Sequence, residues 1–268
     1  DEPPHQRSAM IAIPPARFEF GLQIRYHVPA VYAMGRPLVV CIEPGMEALY
    51  PKAEHLLVQR RPDTERKDLY GKDRVFVRMW VERLRELYPG CRIEMPERYE
   101  THRAMRRFIP QPFVRQGVGK AQVVLCPRKR EVGPERNWPG WSALSTALAA
   151  LGYSTFAAGK RETSDLSAVA HWHAWDYDRE LDATIEAMLS ASLVVSTHAG
   201  LAHPAILCGR PLLLVGHGKL PAPGARWEIR LQEYYQNANH QQAPISIEGG
   251  GWYDPAVVVR RIHSFLEY

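Results

Sequence analysis

The sequence predicts an α/β protein built from two units, each a parallel sheet covered by helices. Two observations predict it. Short apolar runs alternate with stretches of helical period along most of the chain, as strand–helix–strand units do. The alternation is interrupted near residues 96–120 by a stretch with three prolines and five arginines, which reads as a linker.

The elements follow in order. "MIAI" (10–13) is a first strand, followed by a loop to Gly21 and a helix to about Met34. "PLVVCIE" (37–43) and "HLLVQ" (55–59) are the next strands. "DRVFV" (73–77) fits either a strand or the start of the next helix. "MWVERLRELY" (79–88) has helical period, and "CRIEM" (91–95) is strand-like. Beyond the linker, "AQVVLCP" (121–127) is a continuous apolar run, the mark of a strand buried on both faces. "PGWSALSTALAALG" (139–152) is a helix with Pro139 at its start and Gly152 at its end. "YSTFAAG" (153–159) is a strand and "ELDATIEAMLSAS" (180–192) a helix. In "LVVSTHAGLAHPAILCGRPLLLV" (193–215), strand, turn, short helix and strand follow one another. "DPAVVVRRIHSFLEY" (254–268) is a terminal helix with Asp254 as its N-cap.

Composition narrows the function. Apolar content of 46% and charged content of 24% are those of an ordinary globular protein and exclude a disordered or fibrous one. No run approaches the ~18–20 apolar residues that a membrane span needs. The four cysteines (Cys41, Cys91, Cys126, Cys208) are scattered, with no zinc or redox spacing. Buried free thiols and a cytoplasmic protein are therefore expected, and nothing at the start reads as a signal peptide. The formal charge of +5 is unevenly spread: residues 59–130 hold 19 Lys/Arg against 9 Asp/Glu. A basic segment implies an acidic partner, such as a nucleotide, a phosphorylated lipid or nucleic acid; a solvated face is the alternative.

The turn in 193–215 carries the chemistry. In doubly wound folds, ligands bind outside the carboxyl ends of the strands. There a helix N-terminus offers free N–H groups to an anion. Gly200, with Ala199 and Leu201 beside it, allows close backbone approach to a phosphate. His198 and His203 supply donors for phosphate or sugar oxygens. Histidines that merely cap or pack are the competing reading.

"VVSTHAGLAHPAILCGRPLLLVG" resembles the donor-binding segment of the bacterial heptosyltransferase-like glycosyltransferases. Gly200, His203, Gly209 and Pro211 carry the match, and the family's Asp falls on His198 here. "VVLCPRKREVGPERNWPGWSALSTALAALG" resembles the family's strand, basic loop, Arg/Lys-x-Trp-Pro and helix, through Arg136, Trp138 and Pro139. "FAAGKRETS" resembles its strand ending in Gly followed by Glu, here Gly159 and Glu162. The resemblance covers 121–268 and is weak over 1–120.

The resemblance implies a GT-B fold, two Rossmann-like domains with parallel sheets facing a cleft. It implies an acceptor-binding domain over 1–116 and a nucleotide-sugar-binding domain over 117–253. It also implies a terminal helix, 254–268, packing back toward the first domain. It implies a metal-independent transfer without cofactor, in which basic side chains neutralise the leaving diphosphate. Arg128, Lys129, Arg130, Arg136 and Lys219 are placed for that role. A competing metal site, Asp176-Tyr-Asp178 with His171 and His173, is a short and common string, and Asp178 more simply begins a helix.

An inverting transfer also needs a base for the acceptor hydroxyl. The family's base is an Asp following a Gly after the first strand. Here Gly21 is followed by Leu22, which leaves Glu19 as the loop's only carboxylate and His27 as the fallback. The basic excess points to a polyanionic acceptor, either a phosphorylated glycolipid core or a modified DNA base. Tyr70, Phe76, Trp80, Tyr88, Tyr99 and Phe108 are available for base stacking or for the core. A nucleotide-sugar epimerase and a non-catalytic nucleotide-sugar-binding protein are the alternatives. The sugar, the base of the nucleotide and the oligomeric state are open.

Overall fold

A computed structural model describes residues 10–15, 27–28, 31, 34, 38–50, 53–57, 73–95, 122–129, 131, 137–159, 164–165, 180–197, 200–215, 245–248 and 252–267. The chain forms two compact units, Asp1–Phe108 and Ile109–Tyr268.

In the first unit, β1 (Ile11–Ile13), β2 (Leu38–Ile42), β3 (Glu54–Leu57) and β4 (Arg92–Ile93) form one sheet in the order β3-β2-β1-β4. Every pairing is parallel, with Ile11 opposite both Leu38 and Arg92. The ambiguous "DRVFV" is the opening of a helix, α1 (Asp73–Leu87). The reason lies in its continuation. Phe76, Trp80 and Leu84 recur every fourth residue and pack on Ala12, Cys41 and Leu56 of the sheet.

The second unit contains β5 (Val123–Cys126), α2 (Trp141–Ala150), β6 (Thr155–Ala157), α3 (Glu180–Ser190) and β7 (Leu193–Thr197). They are followed by α4 (Ala202–Leu207), β8 (Leu212–Val215), β9 (Ile245–Glu248) and α5 (Pro255–Glu267). The sheet order is β6-β5-β7-β8-β9, again all parallel. Every residue of β5, β7 and β8 is buried, as a sheet covered on both faces requires. Sequence reading missed β9. Its Ile-Ser-Ile-Glu holds only two apolar residues, because it is an edge strand paired with β8 alone.

Gly152 ends α2 with φ of +81°, the left-handed turn that a glycine C-cap supplies. Asp254 caps α5: its Oδ1 accepts from the Ala256 N–H at 2.9 Å. Helix α5 packs on α2, and its buried Val258 and Ile262 lie in the second unit's core with Trp138, Trp141, Leu144 and Leu148. At the far end, the Tyr153 hydroxyl donates to Glu267 at 3.0 Å and shares a hydrogen bond with His263 Nδ1 at 2.6 Å.

Candidate functional site

Strand order locates the site in the second unit. From β5 the chain moves outward to β6, then returns to place β7 on the other side of β5. The reversal lies between β5 and β7, and a crevice opens at the carboxyl ends of strands where the order reverses. Three loops meet there. After β5, the Pro127 carbonyl accepts from the Asp165 N–H at 2.7 Å, and Arg128 bridges Ser164 in antiparallel fashion. After β6, Gly159 adopts φ of +132°, where an L side chain is strained. A Cβ on Gly159 would lie 2.9 Å from Ser164 Oγ and 3.0 Å from Leu201 Cδ1. After β7, the His203 N–H donates to the Gly200 carbonyl at 3.2 Å and closes the turn into α4.

Arg128, Ser164, Gly159 and Leu201 therefore form one chain of contacts across the three strand ends. Arg128 and His203 are half-buried and Lys129 is exposed. Thr197, the last residue of β7, is buried. The turn itself is less of an anion trap than a helix end suggests. Helix α4 has six residues, so few aligned peptide dipoles point at it.

Two expected site residues, Trp138 and His27, take places in the core. Trp138 is 1% exposed, and its indole N–H is used on the Tyr253 carbonyl at 3.0 Å. Its ring packs edge-on against Trp141 with centroids 4.9 Å apart. It is a core residue and offers a ligand neither its face nor its donor. Glu19, Arg136, His198, Ala199 and Lys219 lie outside the described residues, as do Arg130, Glu162, His171, His173, Asp176 and Asp178. Ser164 and Asp165 were not foreseen. The only hint was that Ser164 ends the "FAAGKRETS" match.

In the first unit the order reverses between β1 and β4. Buried Pro14 and Pro15 follow β1 there. His27 is 2% exposed, with Nδ1 2.6 Å from the Tyr50 hydroxyl and the two rings edge-to-face. Its Nε2 has no hydrogen-bond partner among the described residues. Burial pushes its pKa down to about 4, against an opposing pull from the Pro14 backbone. The Tyr50 carbonyl in turn accepts from His55 Nε2 at 2.8 Å. His27, the fallback base in the sequence reading, is thus a buried core histidine that is neutral near pH 7.

The cysteines are free. Burial pushes Cys41, Cys126 and Cys208 up to about 12, so none is a thiolate nucleophile near neutrality. Among the described residues, no group of three or more His, Cys, Asp or Glu is arranged to hold a metal ion. Among the same residues, no helix is long and apolar enough to cross a membrane.

Several solved structures are similar to this chain over nearly its whole length. The E. coli heptosyltransferase WaaC with ADP-2-deoxy-2-fluoro heptose is 14% identical, with a TM-score of 0.52, over 96% of this chain and 99% of that one. E. coli ADP-heptose LPS heptosyltransferase II is 15% identical, with a TM-score of 0.53, over 97% and 98%. A glycosyl transferase family 9 protein from Veillonella parvula DSM 2008 is 11% identical, with a TM-score of 0.57, over 97% and 98%. The fold is GT-B. At such identities the likeness is one of fold. No family model and no curated protein matches the chain.

Proposed function

We propose that this GT-B chain is a glycosyltransferase that moves a sugar from a nucleoside-diphosphate donor to an acceptor hydroxyl. The observation that carries this reading is the contact chain Arg128–Ser164–Gly159–Leu201 at the β5–β7 reversal. It brings three segments that resemble the heptosyltransferase donor site to one strand edge. In this reading the second unit binds the donor. Arg128 and Lys129, with Arg136 and Lys219, neutralise the leaving diphosphate in place of a metal ion. No cofactor takes part. Gly200, Ala199, Leu201, His198 and His203 line the phosphate turn.

The first unit binds the acceptor, and Glu19 takes the proton of the attacking hydroxyl, giving inversion at the anomeric carbon. The basic excess over residues 59–130 favours a polyanionic acceptor in the cytoplasm, a phosphorylated glycolipid or DNA. A mobility-shift titration at low salt separates the two. A shift that weakens steeply with added salt supports DNA, and no shift leaves the glycolipid.

The donor half is tested by thermal denaturation against nucleoside diphosphates and their sugars. ADP and ADP-sugars come first, since one similar structure holds ADP-2-deoxy-2-fluoro heptose. A ligand at about 100 times its Kd should add about 2.7 kcal/mol of stability. No shift with any nucleoside diphosphate would sink the reading.

A further inference from the structure

We infer that Leu201 is a positioning residue for the donor: by resting on Gly159 it holds His203 and Arg128, which come from two different loops, at a fixed separation. The inference rests on the donor-site reading above. Strands β6 and β7 stand on either side of β5. Neighbouring strands are about 4.8 Å apart, so these two are separated by about 10 Å. Their loops nevertheless meet. A Cβ on Gly159, after β6, would lie 3.0 Å from Cδ1 of Leu201, after β7. The contact therefore crosses the carboxyl end of β5, the strand at the reversal.

Both sides of the contact are anchored. The N–H of Ala158, beside Gly159, donates to the Leu125 carbonyl of β5 at 2.7 Å. Ala202, beside Leu201, is fully buried at the start of α4, which packs against α3, β7 and β8. Each side also carries a group for the donor. On the β6 side, Ser164 has its Oγ 2.9 Å from the same Cβ place and bridges Arg128. On the β7 side, the His203 N–H closes on the Gly200 carbonyl, next to Leu201. Gly159 is itself buried, and the space its missing side chain leaves is shared by Leu201 and Ser164. Leu201 is thus the link between the two halves of the grip. Arg128 and His203 hold one diphosphate together only at a matching separation, and a grip set before the ligand arrives loses less on binding.

A pair of substitutions and their combination give the test. Affinity for ADP, UDP and GDP is measured by calorimetry well below the unfolding temperature of every variant. Leu201→Ala, which removes the contact, should weaken the best nucleotide by about tenfold. Gly159→Ala, which fills the place that Leu201 occupies, should do the same. The two losses should not add: in the Leu201→Ala chain, Gly159→Ala should cost less than about a further twofold. Leu148→Ala is the control. Leu148 is fully buried, and its carbonyl accepts from the Tyr153 N–H ahead of β6, at the other end of that strand from Gly159. Its loss should destabilise the protein at least as much as that of the half-buried Leu201 and leave affinity unchanged. Unchanged affinity in Leu201→Ala, additive losses in the double variant, or equal weakening by Leu148→Ala would each overturn the inference. Should the backbone at φ of +132° keep Gly159→Ala from folding, Leu201→Ala against Leu148→Ala decides alone. A wild-type protein that binds none of the three nucleotides instead overturns the donor-site reading.

Discussion

Between pH 7 and pH 4 the first unit should lose roughly 3 kcal/mol of stability through His27 alone. Folding places this ring where it can be neither solvated nor charged cheaply: 2% exposed, with one nitrogen on Tyr50 and the other without a described partner. Its folded pKa of about 4 lies below the ordinary 6.5. Between those values the unfolded chain binds a proton that the folded chain does not, so stability falls as pH falls. The contribution is complete above about pH 6.5 and lost by about pH 4. Native-state hydrogen exchange at the β2 amides, compared between wild type and His27→Gln, isolates the effect from the other titrating groups. The variant should be less stable at pH 7, having lost the bond to Tyr50, and should show a flatter decline toward pH 4. Parallel declines would mean that His27 is solvated in the folded protein.

His27 also shows where sequence reading stops. A histidine a short way after the first strand looked like a reserve base, because polarity near a strand end suggests chemistry. What decides otherwise is Tyr50, 23 residues away, which no local pattern points to. Trp138 is the same case at longer range: a motif match put it among ligand contacts, while a carbonyl 115 residues away took its donor. By contrast β5, β7 and β8 were legible because burial on both faces forces continuous apolar runs. The geometry at Gly159, φ of +132° with Leu201 and Ser164 close to where a Cβ would stand, was not legible. Ser164 and Asp165 were invisible because they contribute through a main-chain bridge and an N–H, which any residue type supplies.

Moving His27 into the core narrows the search for the base, and the largest effect expected of any single substitution follows. Glu19→Gln should cut kcat by about 10²–10⁴-fold, the usual worth of a general base. Between the end of β1 and His27 the sequence offers one carboxylate and no other group that accepts a proton near neutral pH. The stretch that carries it leaves β1, the strand at the reversal of the first sheet, where ligands of such sheets bind. Glutamine keeps the size and hydrogen-bonding reach of glutamate and loses only its basicity. Donor affinity should therefore stay within about twofold of wild type, because Arg128, Lys129 and Gly159 belong to the other unit. The measurement is turnover of the nucleotide-sugar that gives the largest thermal shift, with calorimetry on its nucleoside diphosphate in parallel. Retention of more than about a third of wild-type kcat, against the loss expected of a base, would exclude Glu19. With His27 buried, the base would then have to come from outside the β1 loop. Loss of donor affinity together with kcat would instead give Glu19 a structural role and remove the division of labour between the two units. A wild type that binds donor tightly but turns it over with no phosphorylated glycolipid or DNA acceptor would favour the non-catalytic reading, in which Leu22 after Gly21 marks a base that is missing.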